Sequence, residues 1–171
     1  MKIYSYKKGD EESVKKFVSE SLEEIFHSPS KGLEDLDNIE IPLNQAPFSF
    51  GISIYPFPFW SGIIKGNVYI DENFELFLVA KENDKIIGTI GVKKENDCAR
   101  ISRMYVNKIE RGKGIGESLI KKALLYCKRK FNRVFLTTYE QMNSVGFYEK
   151  MCFKAFKKEG DVIWMEMFFD K

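Results

Sequence analysis

The chain has 171 residues, 44% of them hydrophobic and 30% charged, with a formal net charge of +2. That length favours one soluble domain whose core needs no disulfide or structural metal. So small a charge, with Lys and Glu interspersed, creates no whole-molecule field for nucleic acid, and an anionic ligand would need a local site. Three cysteines, Cys98, Cys127 and Cys152, are widely spaced without a CxxC pair. A disulfide framework or a zinc site is not expected from them, and a reducing compartment fits. The opening residues lack the apolar stretch of a signal peptide, and no run approaches the roughly 20 apolar residues of a membrane span. The expectation is a cytoplasmic protein with neither nucleic acid nor membrane as partner.

In chain order, Ile3 to Tyr6 alternates as a short strand would, and Gly9-Asp10 breaks it. Val14, Phe17, Val18, Leu22, Ile25 and Phe26 recur at spacings of three and four, which predicts an amphipathic helix over 11–26. A short second helix is expected around Leu33 to Ile39. Residues 41–66 hold Pro42, Pro47, Pro56 and Pro58 among Phe48, Phe50, Tyr55, Phe57, Phe59 and Trp60. Prolines this dense oppose a long helix or a central strand, and aromatics this dense oppose disorder. The segment reads as an ordered, irregular or edge-strand insertion within one domain spanning 1–171.

Regular pattern resumes at Phe74. The runs 74–80 and 85–92 predict an antiparallel hairpin turning at Glu82-Asn83-Asp84, with a third strand at Ala99 to Val106. A glycine loop follows at 111–116. Leu119, Ile120, Ala123, Leu124 and Cys127 then mark one face of a helix ending in Lys128-Arg129-Lys130, cations suited to its negative end. A strand at Arg133 to Thr138, a short helix at Ser144 to Met151, and strands at Phe153 to Lys157 and Val162 to Phe169 complete the order. One helix links the strands at 99–106 and 133–138, so they are expected to lie parallel. The predicted fold is α/β (α+β): a single mixed, mostly antiparallel sheet of about seven strands with helices on both faces.

Gly112, Gly114 and Gly116 alternate between a strand end and a helix start. Glycine permits positive φ and close approach to a ligand, and the first helical turn offers unpartnered N–H groups with partial positive charge. Together they form a cradle for phosphate, beside Arg111 and Lys113. The spacing is not that of a Walker A loop, which needs G-x-x-x-x-G-K followed by Ser or Thr. It also fails the G-x-G-x-x-G of dinucleotide and kinase loops, which would require glycine where Glu117 stands.

The run ISRMYVNKIERGKGIGESLI resembles the pyrophosphate-binding motif of the GNAT superfamily of N-acetyltransferases. That motif reads Gln or Arg, two residues, Gly, one residue, then Gly or Ala, and Arg111, Gly114 and Gly116 match it. The run FLTTYEQMNSVGFYEKMCFKAF resembles the family's closing motif. The resemblance covers 74–169, reaches 1–40 by element order, and does not reach 41–66.

The resemblance implies a cofactor, acetyl-coenzyme A, with no metal. Backbone amides of Arg111, Gly112, Lys113, Gly114, Ile115 and Gly116 would hold its pyrophosphate. Met104, Tyr105 and Val106, on a strand splayed from its parallel neighbour, would pair with pantetheine. The amide near Met104 would polarise the thioester carbonyl. Tyr148 occupies the position of the family tyrosine that protonates the departing thiolate. The family's Asn and Ala, seven and four residues before that tyrosine, are Gln141 and Ser144 here, with Asn143 nearby. These three are the remaining expected cofactor contacts. The family's Gly-Phe after Tyr148-Glu149-Lys150 is Cys152-Phe153, so the turn either lacks positive φ or is strained.

The glutamate base of some members falls on Arg100, which cannot serve. Glu75, Asp97, Glu140 and Tyr105 remain as candidate bases by segment. The lone His27 reads as a surface or capping residue. Tyr55, Phe57, Phe59 and Trp60 would either line an acceptor pocket or cover the sheet or a homodimer contact. The function expected is direct transfer of an acetyl group to a primary amine of a small molecule or protein within a ternary complex. A non-catalytic acyl-CoA sensor module is the alternative.

Overall fold

A computed structural model of the chain describes residues 1–26 and 74–170. His27, the expected helix at 33–39 and the aromatic segment at 41–66 lie outside the described residues. The described elements run β1 (Lys2–Ser5), α1 (Glu11–Phe26), β2 (Phe74–Glu82), β3 (Lys85–Glu95), β4 (Cys98–Val106), α2 (Ile115–Lys130), β5 (Arg133–Tyr139), α3 (Val145–Lys150), β6 (Lys154–Glu159) and β7 (Val162–Phe168). They form one seven-stranded sheet in the order β1-β2-β3-β4-β5-β7-β6. Every pairing is antiparallel except β4 with β5. The mixed sheet expected from the hairpins and the single crossover is therefore the one observed.

Alternation along the strands sorts the core into two layers. Leu78, Ala80, Ile90, Val92, Ile101, Val134, Leu136 and Met165 meet Leu119, Ile120, Ala123 and Cys127 of α2 on one face. Phe77, Val79 and Ile86 meet Val14, Phe17 and Val18 of α1 on the other. Leu119 and Ile120 are completely buried, and full burial of such a side chain contributes about 2 kcal/mol. Helix α2 approaches β3 closely because residue 88 is glycine. A Cβ there would lie 3.0 Å from Leu119 Cδ1 and 3.2 Å from the Tyr105 carbonyl.

The start of β6 differs from expectation for a local reason. Strand β6 begins at Lys154 rather than Phe153. Phe153 is only 1% exposed, sunk into the α2 layer, and its N–H donates to the Tyr148 carbonyl at 3.0 Å. The turn before it keeps positive φ without glycine, with Cys152 at φ 69. That decides between the two readings of this turn in favour of the strained one.

Parallel pairing of β4 with β5 is confined to Ala99 opposite Val134 and Arg100 opposite Phe135. Beyond those residues β4 keeps its partner β3, and β5 stays paired with β7 along its whole length. The two strands diverge, and the sheet opens at its centre.

Candidate functional site

The opening between β4 and β5 is the head of a cleft of about 590 Å³. Its position follows from β4 itself. From Gly91 to Thr89, two steps on β3, the partners run from Ser102 to Tyr105, three steps on β4. The extra residue makes a β-bulge, and Arg103 takes it up at φ 51, in the left-handed region. A fully buried Thr89 donates its hydroxyl to the Arg103 carbonyl at 2.9 Å. That bond satisfies an oxygen which the interrupted ladder leaves without a partner.

At the mouth of the cleft stands the glycine loop. Gly112 and Gly114 have φ of 80 and 78, and neither would bring an added Cβ within 4 Å of another group. Glycine is needed there for the backbone angle, and the space above it stays open. Gly114 caps α2. The Ser118 amide and hydroxyl each donate to its carbonyl at 2.9 Å. The amides ahead of Ser118 have no helical acceptor and stand at the positive end of a 16-residue helix. Such an end attracts an anion by geometry alone.

The loop's cations are engaged elsewhere. The Arg111 Nε donates to the Val106 carbonyl at 3.0 Å, and its Nη1 pairs with Glu24 of α1 at 2.9 Å. Lys113 pairs with Glu110 at 2.8 Å. Arg111 thus ties the loop to the end of β4 and to α1, while the open polar groups of the loop are backbone N–H.

Tyr148, on α3, reaches the cleft from the α2 side. Only 8% exposed, it packs edge-on against Phe147 and Phe153 and donates its hydroxyl to Met104 Sδ at 3.6 Å. Burial, with a smaller contribution from nearby Tyr105, pushes its phenol well above the usual value. It stays protonated throughout the neutral range. Tyr105 belongs to the α1 layer instead. Burial raises its phenol, and the Arg103 guanidinium beside it opposes that rise. Tyr139 is raised by burial and then by Asp161 and Tyr105, with Arg100 acting the other way.

Of the residues singled out from sequence, Met104, Tyr105, Val106, Arg111, Gly112, Gly114, Ile115, Gly116, Asn143, Ser144 and Tyr148 all line the cleft. Lys113 and Gln141 are exposed and do not. Ser144 shares a 2.5 Å hydrogen bond with buried Thr138, and Asn143 turns the chain at φ 49. Among the candidate bases, Tyr105 alone lines the cleft. Glu75 is held by Lys130 and Tyr126 at 2.8 Å each, which lowers its carboxyl, and Glu140 pairs with Lys158. Arg100 pairs with Glu95 at 3.1 Å.

Sequence reasoning missed Thr89, the bulge at Arg103, and the contributions of α1 through Glu24, Leu22 and Ile25, the last two of which line the cleft. One signal for Thr89 was present: a hydroxyl set inside the apolar run of β3. No composition cue marks the bulge, because Arg103 is not glycine.

Comparison with known proteins gives a consistent result. Residues 35–153 match the family model described as the acetyltransferase (GNAT) family. The match takes in 41–66, where the sequence reading found no resemblance. Human N-acetyltransferase 8B is 24% identical over 107 residues, 58% of this chain and 47% of that protein. The match therefore spans about half the length of that relative. A GNAT-family acetyltransferase from Staphylococcus aureus superimposes with a TM-score of 0.68 at 20% identity, covering 99% of both chains. The PaiA N-acetyltransferase of Thermoplasma acidophilum, solved with coenzyme A, gives 0.69 at 22% identity over 98% of both. A GNAT-family acetyltransferase from Brucella melitensis, solved with acetyl-CoA, gives 0.61 at 16% over 99% of this chain and 88% of that one. These likenesses are of fold.

Proposed function

The chain belongs to the GNAT acetyltransferase family, and from that premise we propose that it transfers the acetyl group of acetyl-CoA directly to a primary amine. The observation carrying this reading is the conjunction of a backbone anion cradle at Gly112–Gly116 with a strand pair that parts beyond Arg100. Acetyl-CoA is long, with a pyrophosphate at one end and an extended amide-bearing arm. A helix start suits the first, and an unpaired strand edge suits the second, by the hydrogen bonding of β-augmentation.

Residues would act as follows. Amides of Gly112 to Gly116 hold the pyrophosphate, and the edge of Met104, Tyr105 and Val106 pairs with the pantetheine arm. Asn143 and Ser144 add contacts from the facing turn. The Met104 amide, next after the bulge at Arg103, would stabilise negative charge growing on the thioester oxygen. The acceptor nitrogen attacks the carbonyl carbon, the carbon–sulfur bond breaks, and Tyr148 gives its proton to the leaving sulfur. The acceptor's own proton leaves to water or to a group outside the named residues. Because Tyr148 is held protonated by burial, it serves as an acid and not as the base.

The test is a titration of the protein with acetyl-CoA, followed by thiol release against a panel of amines. Saturable binding with amine-dependent release is expected. Binding without release for any amine would replace the enzyme by an acyl-CoA sensor module, and stabilisation by ATP in place of coenzyme A would remove both.

A further inference from the structure

The α1 side of the cleft carries a charge that no carboxylate among the described residues balances. Arg103 lines the cleft half-buried. Its guanidinium lies beside the Tyr105 phenol, which packs with the α1 layer. Met104 and Tyr148 belong to the other layer. Arg103 therefore stands on the α1 side of the opening, against the Tyr105 phenol that also neighbours Tyr148.

The other arginines of the cleft are each tied to a carboxylate, Arg100 to Glu95 at 3.1 Å and Arg111 to Glu24 at 2.9 Å. Lys150 stands exposed on α3, with the Tyr148 layer. Arg103 forms no ion pair among the described residues. Next to it, Ser102 also lines the cleft, and its buried Oγ has no hydrogen-bond partner among the described residues. A guanidinium half withdrawn from water loses solvation and regains it best from an oxyanion that accepts two parallel N–H bonds. The backbone under Arg103 is also held at φ 51 by Thr89, a conformation that residues other than glycine rarely adopt. Strain of this kind, kept in place by a fully buried hydroxyl, fixes where the side chain starts.

We propose that Arg103, with the Ser102 hydroxyl beside it, is the acceptor-recognition point of the cleft, and that the acceptor is an amine which also carries an oxyanion, a carboxylate or a phosphate. The oxyanion docks at Arg103, and the amine at the other end of the molecule is directed to the thioester. This rests on the transferase reading above. It excludes diamines and polyamines as the preferred class, since a second cation would meet the guanidinium.

The experiment has two arms. In the first, wild type and Arg103→Gln are titrated with acetyl-CoA alone. In the second, the coenzyme A-bound protein is titrated with N-acetyl amino acids, their C-terminal amides, N-acetyl aminoalkyl phosphates and N-acetyl diamines. Amine-dependent thiol release is read for the corresponding free amines. The oxyanion series is expected to bind at least about tenfold tighter than the matching amides, as loss of a charge-assisted bidentate pair implies. Arg103→Gln should erase that preference while leaving acetyl-CoA affinity unchanged. Preference for carboxylates over phosphates, or the reverse, then identifies the source of the oxyanion.

Equal binding of acids and amides, tighter binding of diamines, or weakened acetyl-CoA binding in Arg103→Gln would each overturn the proposal. Failure of acetyl-CoA to bind wild type in the first arm would instead remove the transferase reading. The Arg103 preference is still read in the second arm by titrating the acids and amides into the free protein. Arg103→Lys serves as a second variant that keeps the charge but loses the fork, and it is expected to retain part of the preference.

Discussion

On the α2 side of the cleft the glycine loop offers main-chain groups, with the Tyr148 phenol as the buried side chain beyond them. The amides of 112–116 depend on positive φ at two glycines and on the start of one helix. On the α1 side the polar lining is of side chains: Arg103, Tyr105 and Tyr139, with the Ser102 hydroxyl buried beside them. A backbone wall is specified by where the chain turns, and many side chains are compatible with it. A side-chain wall is specified residue by residue. The first suits a ligand common to a whole family, the second one that differs between members.

The contrast is broken or sharpened by substitutions on each side. The largest effect is expected at Tyr148, on the shared side. Tyr148→Phe removes the phenolic proton but keeps the ring against Phe147 and Phe153. Amine-dependent thiol release should fall by about 10²–10³-fold with acetyl-CoA affinity preserved, as loss of a general acid implies. Stopped assays of free thiol beside calorimetric binding separate the two quantities.

Gly114→Ala comes next. It places a Cβ at φ 78, where the surroundings have room but the backbone does not. It should weaken coenzyme A by about tenfold and destabilise by about 1 kcal/mol. Gly116→Ala, whose Cβ would only touch Met104 and Phe147 at 3.5 Å, should do neither, and equal damage at both positions would contradict a cradle that depends on backbone angle.

The joint between the two walls is the bulge. Thr89→Val keeps shape and removes the hydroxyl that donates to the Arg103 carbonyl. A buried carbonyl left without its donor costs about 1–3 kcal/mol, and the Met104 amide is expected to lose its aim. The ratio of acetyl-CoA to coenzyme A affinity should fall severalfold and be restored in Thr89→Ser. An unchanged ratio would separate Thr89 from the reacting carbonyl.

The smallest effects concern stability. Cys152 has φ 69, so Cys152→Gly should stabilise by about 1 kcal/mol, read as a rise in Tm of several degrees. Burial raises the Tyr148 phenol and pushes the Cys127 thiol up to about 12. Both groups favour the folded state while protonated. Their contribution is complete below their ordinary values, near pH 10 and 8.5, and is lost as pH climbs through the raised ones. Thermal stability should therefore decline above about pH 9, and less steeply in Tyr148→Phe.

How much of this was legible in the sequence divides along the same line. Helix α2 and its loop were readable, because glycine spacing and the 3.6-residue period of Leu119, Ile120, Ala123 and Cys127 report local geometry. The parallel neighbours β4 and β5 followed from one crossover helix. The bulge was not readable, since a non-glycine residue at positive φ leaves no compositional mark and is fixed by Thr89, 14 positions away. Pairings such as Arg111 with Glu24 and Arg100 with Glu95 also depend on contacts that only the folded chain brings together. They change the meaning of the loop's charges: the side chains of Arg111 and Lys113 read as local positive charge, and in the fold each is paired with a carboxylate. Gln141, chosen by counting back from Tyr148, falls on an exposed turn away from the cleft, while its neighbours Asn143 and Ser144 line it.

The central claim is that main-chain groups of the loop and of the parted strand bind coenzyme A. The most direct test is a backbone-amide NMR titration with coenzyme A beside ATP and inorganic pyrophosphate. The account predicts that coenzyme A shifts the amides of Gly112 to Gly116 together with those of Met104 to Val106. Pyrophosphate should move the loop set alone. Coenzyme A shifts confined to residues away from both segments, or none at saturating concentration, would contradict it.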